Sequence, residues 1–219
     1  MDNLSRVVPA ILTEDPKALE TMVRQAEGFT DWVQFDIMDG EFVPSRSITY
    51  EQLAKLPMKL GWEAHLMVKN PENYLESFKK AGAHKVVFHH EATHSPQEVI
   101  SLARSLDLEV GLAINPDTPM SAILSLTDEV DSILFLSVYP GFYGKKFIPE
   151  VLDKIREFRN IYPSVETGID GGIKEGNITR VAQAGVDFIY IGSAIFHQEN
   201  PADSYHRLSA LAREASASL

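Results

Sequence analysis

The chain has 219 residues, a formal net charge of −11, 44% apolar residues and no cysteine. That length supports one full hydrophobic core, and an acidic balance with no Lys/Arg-rich block argues against nucleic acid or an anionic membrane surface as a partner. Disulfides and thiolate metal sites are excluded. With no signal-like N-terminus and no apolar run near the roughly 20 residues that span a bilayer, a cytoplasmic location is expected.

Short β-rich runs recur along the whole sequence, at residues 7–12, 32–38, 61–68, 85–89, 109–114, 132–138, 165–169 and 188–191. They are too apolar for strands with one face in water, so parallel strands covered on both sides are predicted. After the first run, Asp15-Pro16 opens a stretch in which Leu19, Met22, Val23 and Ala26 keep helical spacing. Asn70-Pro71, Ser95-Pro96, Thr118-Pro119 and Asn200-Pro201 repeat the pattern of a capping residue followed by proline, which at the first helical position sacrifices no hydrogen bond. Before the seventh run, Val151, Ile155 and Phe158 keep the same helical spacing.

Eight β/α units in 219 residues average roughly 27 residues each, near the lower size limit of a (β/α)8 TIM barrel, and no composition shift divides the chain. One barrel domain over residues 1–219 is therefore expected. An open doubly wound sheet would carry phosphate-binding glycines after its first strand, but that strand leads into Ile11-Leu12-Thr13-Glu14. Gly171-Gly172 instead follows the seventh run and Gly192-Ser193 the eighth, where barrels commonly bind phosphate through backbone N–H groups.

Three strand ends carry polar groups that packing does not require: Gln34 and Asp36, His65, and Asp170. An ionised carboxylate at the end of a buried strand is costly unless something pairs with it or uses it, so these groups point to one convergent site. Gln34 and Asp36, two apart on a strand, share a face. The alternatives are a capping role for either aspartate and a structural role for His65. Asp39, followed by Gly40, reads as a turn former, and of His89-His90-Glu91 one histidine can face the site in a supporting role.

The order Pro9-x-Ile11-Leu12, Asp36-Ile37-Met38-Asp39-Gly40-x-Phe42-Val43-Pro44, His65-Leu66-Met67-Val68, Asn115-Pro116-x-Thr118-Pro119, Pro140-Gly141-Phe142-x-Gly144, Asp170-Gly171-Gly172 and Gly192-Ser193-Ala194-Ile195-Phe196 resembles the ribulose-phosphate 3-epimerases over nearly the entire chain. The resemblance implies a cytoplasmic, homo-oligomeric barrel acting on a ketose phosphate such as D-ribulose 5-phosphate. Asp36 and Asp170 correspond to the aspartates that remove and return the proton beside the ketone through an enediolate. It also implies a divalent metal ion (Zn, Fe, Mn, Mg or Co) held by Asp36, His65, Asp170 and the residue at position 34. Backbone groups of Gly141, Gly144, Gly171, Gly172, Gly192 and Ser193 would hold the phosphate, and Met38 and Met67 would line the substrate pocket.

The departures from the family pattern fall at the site. Gln34 stands where the family has a second histidine ligand, and its amide oxygen is a weak, hard donor that suits Mn²⁺ or Mg²⁺ better than zinc or iron. Ala10 replaces a serine, Ser45 an asparagine, Leu136 a methionine, and Gly168 a larger or acidic residue. The loop after the sixth strand reads Gly141-Phe142-Tyr143-Gly144-Lys145 in place of Gly-Phe-Gly-Gly-Gln. Two functions fit: a metal-assisted epimerase that tolerates Gln34, or a sugar-phosphate-binding barrel that serves as sensor, regulator or scaffold. A barrel of the hexulose-phosphate synthase type would show Asp-x-Lys-x-x-Asp on one strand, and Asp36-Ile37-Met38 has no lysine there.

Overall fold

In the computed structural model, which describes residues 4–141 and 146–217, the apolar runs become eight strands: β1 (Arg6–Ile11), β2 (Trp32–Met38), β3 (Gly61–Met67), β4 (Lys85–His89), β5 (Glu109–Ile114), β6 (Ser132–Leu136), β7 (Glu166–Asp170) and β8 (Phe188–Ile191). All neighbouring pairs are parallel, the strands follow one another in chain order, and β8 closes on β1. The result is a TIM barrel, with strand limits within two residues of those predicted. Its helices are α1 (Pro16–Ala26), α2 (Tyr50–Lys55), α3 (Leu75–Ala81), α4 (Pro96–Ser105), α5 (Val151–Ile161), α6 (Glu175–Ala182), α7 (Ser193–Phe196) and α8 (Pro201–Ser216).

Three of the five proline signals open α-helices, at α1, α4 and α8. Asp15 accepts a hydrogen bond from Lys17 N at 2.9 Å, satisfying one of the donors a helix start leaves free. The other two open short 3₁₀ turns. Asn70 takes a left-handed conformation (φ 53°) that turns the chain before Pro71, and α3 begins only at Leu75. Pro119 itself stands at the cap in an extended conformation, and the link from β5 to β6 consists of 3₁₀ turns at Met120–Ala122 and Thr127–Glu129 instead of an α-helix.

Strand alternation separates two cores. Val33, Phe35 and Ile37 of β2, Trp62, Ala64 and Leu66 of β3, and Val86 and Phe88 of β4 join the layer between barrel and helices. Their neighbours point into the lumen, as period-two geometry demands. Part of the lumen is apolar, packed by Val8, Ala10, Val87, Ala113, Leu134, Leu136 and Tyr190. Gly168 belongs to this packing: a Cβ there would lie 2.8 Å from the Tyr190 ring, so the ring occupies the space that a larger residue would need. The alternation also sends Gln34, Asp36, Glu63, His65, Lys85 and His89 inward, all buried.

Candidate active site

Asp36, His65 and Asp170 meet at the C-terminal end of the barrel, the end at which βα loops place reactive groups. His65 Nδ1 lies 2.9 Å from Asp36 Oδ1 and 3.5 Å from Asp170 Oδ2. Gln34 Nε2 approaches the same two oxygens, at 3.2 and 3.4 Å. Two carboxylates are thus held together by donors from an imidazole and an amide.

Burial and the charge of Asp170 raise the Asp36 pKa to about 6, against the opposing pull of His65 and Gln34. Burial alone would lower the His65 pKa, but hydrogen bonds to Asp170 and Asp36 overcome it and raise the pKa to about 9. His65 is consequently an imidazolium when no cation sits between the carboxylates.

Behind His65 runs a relay that leads away from the carboxylates. His65 Nε2 is 2.9 Å from His89 Nε2, and His89 Nδ1 is 3.4 Å from Glu91 Oε2. Burial lowers the His89 pKa to about 4, so His89 is neutral and its Nε2 accepts from His65, while its Nδ1 lies near Glu91 without a hydrogen bond. Glu91, although burial alone would raise its pKa, is held down to about 2 by its interactions with His89, Thr118 and Asn115. Asn115 N donates to Glu91 Oε1 at 2.9 Å, and the Thr118 hydroxyl donates to the same oxygen. Lys154 of α5 clamps that loop through the carbonyls of Pro116 and Thr118, at 2.6 and 2.7 Å. The Asn115–Thr118 motif therefore reaches His65 only through Glu91 and His89. The sequence places one histidine of the His89-His90 pair near the site, and the structure identifies it as His89, with Phe42 packed on its ring at 5.0 Å.

A cavity of about 110 Å³ opens over the two aspartates, lined by Ala10, Met38, Met67, Leu136, Gly141, Gly171, Gly172, Gly192 and Ser193 among others. Most of the residues expected around substrate thus share one space; Gln34 and His65 lie beneath its floor, fully buried. Gly144, with Phe142, Tyr143 and Lys145, lies outside the described residues. Gly171 adopts φ 115°, and a Cβ there would come within 2.5 Å of Val138, so the loop after β7 can pass the cavity wall only with glycine at that position. Ser137, not singled out from sequence, donates through Oγ to the carbonyls of Asp170 and Gly171, at 2.9 and 2.7 Å, and so fixes the end of β7. Ser47 does the same for β2, donating to Asp36 O at 2.7 Å and accepting from Met38 N at 2.9 Å. Asp39 organises its turn by accepting from Glu41 N and Phe42 N, and it ties that turn to Lys69 N at 2.7 Å.

Asp36, His65 and Asp170 each present a ligand atom within 4.8 Å of the others, a grouping able to hold a metal ion. The fit extends to charge, since paired carboxylates call for a cation between them. The fourth candidate is turned the other way. Gln34 Oε1, the atom expected to bind metal, has no hydrogen-bond partner, because the amide directs its nitrogen at the carboxylates instead. An N–H donor is the favourable neighbour for two carboxylate oxygens, and an oxygen aimed at them would be repelled.

The sequence profile described as the ribulose-phosphate 3 epimerase family matches residues 6–196. The chain belongs to the ribulose-phosphate 3-epimerase family. It is 36% identical over 217 residues to the ribulose-phosphate 3-epimerase of Mycobacterium tuberculosis, covering 96% of this chain and 93% of the relative. The Schizosaccharomyces pombe enzyme of that name is 34% identical over 90% of this chain and 89% of its own, and that of Aquifex aeolicus 37% over 87% and 89%. Among solved structures, the KGPDC of Streptococcus mutans superposes with a TM-score of 0.76 at 14% identity, over 96% of this chain and 98% of that one. The 3-hexulose-6-phosphate synthase of Salmonella typhimurium gives 0.71 at 18% identity, over 96% and 99%. At that identity these two show the shared barrel alone. Ser45 donates through its hydroxyl to the Gly141 carbonyl and ties the loop after β2 to the loop after β6.

The His65 environment yields a pH prediction. Its folded pKa of about 9 exceeds the ordinary 6.5, so the imidazolium contributes stability that is complete below pH 6.5 and lost as pH rises through about 9. Asp36 has the opposite sign, because its raised pKa imposes a cost as it ionises, a cost that accrues as pH rises through about 6 and is nearly complete one pH unit above that. Urea titrations with a chelator present should show the unfolding free energy falling by up to about 3 kcal/mol between about pH 6.5 and 9.5, and His65→Asn should remove that slope. A wild-type slope no steeper than that of the variant would contradict the imidazolium assignment.

Proposed function

We propose that this protein is a ribulose-phosphate 3-epimerase that interconverts D-ribulose 5-phosphate and D-xylulose 5-phosphate by proton transfer between Asp36 and Asp170. The observation that carries the reading is the convergence of two aspartates, from β2 and β7, on one glycine-walled cavity with His65 between them. One carboxylate, ionised, takes the C3 proton; the other, protonated, returns a proton from the opposite face. A pair of carboxylates this close favours holding one proton between them, in keeping with the raised pKa of Asp36. Backbone N–H groups around Gly171, Gly172, Gly192 and Ser193, with Gly141 across the cavity, hold the phosphate end. Met38 and Met67, both buried, keep water from the reacting carbon.

Asp36, His65 and Asp170 would hold a divalent cation, which when bound supplies positive charge to the developing enediolate oxygens. Two carboxylates and a single imidazole favour Mn²⁺ or Mg²⁺ over zinc, iron or cobalt. The His65–His89–Glu91 relay keeps Nε2–H of His65 engaged, leaving Nδ1 for the carboxylates or the ion. Incubation of D-ribulose 5-phosphate with the protein and Mn²⁺, followed by ¹³C NMR, is expected to show D-xylulose 5-phosphate. Binding of the sugar phosphate without conversion, with Mn²⁺, Mg²⁺, Zn²⁺, Fe²⁺ or Co²⁺ each tried, would overturn the epimerase reading in favour of a sensor or scaffold.

A further inference from the structure

Two buried acceptors beneath the site lack donors: Gln34 Oε1 and Glu63 Oε1. They belong to residues paired across the β2–β3 ladder, Gln34 opposite Glu63, just as Asp36 stands opposite His65. Both side chains leave their strands on the lumen face and both are buried, at 0% and 2% exposure. Glu63 is held from its other side. Its Oε2 lies 3.7 Å from the buried Lys85 Nζ, and burial together with the Glu63 charge pushes the Tyr190 hydroxyl well above its usual pKa. An acid in this row takes no part in the proton transfer proposed above, yet the fold keeps it charge-compensated beside the one amide of the cluster.

We propose that Glu63 is a positioning residue that makes Gln34 a metal ligand. The proposal rests on the reading that Asp36, His65 and Asp170 hold a divalent cation. With no cation between the carboxylates, the N–H groups of Gln34 are best spent on Asp36 and Asp170, and Oε1 is left over. With a cation there, the balance reverses. The carboxylates are neutralised by the ion, the amide turns so that Oε1 faces it, and Nε2–H is presented to Glu63 Oε1. One rotation satisfies both orphaned acceptors. A charged acceptor behind the amide would also make Oε1 a better donor to the ion, as an oriented partner does for any metal ligand. The Glu63–Lys85–Tyr190 cluster is then the device that lets an amide occupy the position at which the family has an imidazole.

Mn²⁺ affinity measured by titration calorimetry, with electron paramagnetic resonance reporting free ion, tests this without reference to catalysis. Wild type should bind one Mn²⁺ at the cluster, and His65→Ala should abolish that binding. Glu63→Leu paired with Lys85→Met, which removes both buried charges together, should weaken Mn²⁺ binding by about 10- to 100-fold. Glu63→Gln, which keeps an acceptor oxygen, should stay within about threefold of wild type. In a Gln34→Leu background the Glu63 and Lys85 substitutions should have no further effect on affinity. Wild-type affinity in the Glu63→Leu/Lys85→Met protein would overturn the proposal while leaving the cluster as a metal site. Equal weakening with and without Gln34 would overturn it too, because the effect would then bypass the amide. Absence of Mn²⁺ binding by the wild type, or binding indifferent to His65→Ala, would remove the underlying reading as well.

Discussion

Asp170→Asn is expected to lower kcat for D-ribulose 5-phosphate by about 10³-fold or more, with the change in KM confined to a few-fold. Asparagine preserves the shape of the end of β7, including the backbone carbonyl that Ser137 holds, and takes away only the ability to carry a proton. General acid–base groups commonly contribute about 10²–10⁴-fold, and a two-aspartate transfer has no second route for the missing step. Asp36→Asn should behave alike. Because Asp170 is also one of three grouped ligand atoms, Mn²⁺ content must be measured in the same samples. Activity restored by excess Mn²⁺ would make Asp170 a ligand only and would contradict its role in proton transfer.

Chelation is expected to have the second largest effect. Removing a cation that stabilises an enediolate forfeits several kcal/mol, and since each ~1.4 kcal/mol is tenfold, a fall of about 10³-fold should follow EDTA treatment and be reversed by Mn²⁺. The charge arrangement explains why the fold should survive. His65 takes up a proton and, with Gln34, bridges the carboxylates in place of the ion, so the loss should appear in kcat and not in thermal unfolding near neutral pH. Gln34→His should raise zinc affinity, because a second imidazole nitrogen replaces a hard amide oxygen. Undiminished turnover after complete metal removal, verified by elemental analysis, would contradict this assignment.

Much of the barrel is legible in the sequence because its physics is local and repeated. Each strand is a short, mainly apolar run, and the covered faces leave no other way to bury it, so strand limits follow within two residues. Asp36, His65 and Asp170 are legible for the complementary reason that ionisable groups at buried strand ends need a partner. What the sequence conceals is lateral and rotational. That His89 rather than His90 touches His65 depends on the β3–β4 register and on which residue ends the strand. The direction of the Gln34 amide depends on two carboxylates from different strands. Glu63 and Lys85 read as ordinary charges interrupting apolar runs until pairing places them side by side. Asn70-Pro71 and Thr118-Pro119 carry the same local signal as Asp15-Pro16, but Asn70 is left-handed and Pro119 stands at the cap instead of the first helical position, and both sites form 3₁₀ turns.

In the proposed mechanism Asp36 and Asp170 exchange the C3 proton of a ketose phosphate with solvent-derived protons on opposite faces. The most direct test is to run the reaction on D-ribulose 5-phosphate in deuterated water with Mn²⁺ and to follow C3 by NMR and mass spectrometry. The expected result is D-xylulose 5-phosphate carrying one deuterium at C3, formed by the wild type and lost in Asp36→Asn and Asp170→Asn. Product formed without deuterium at C3, or labelling that persists in both variants, would contradict that mechanism.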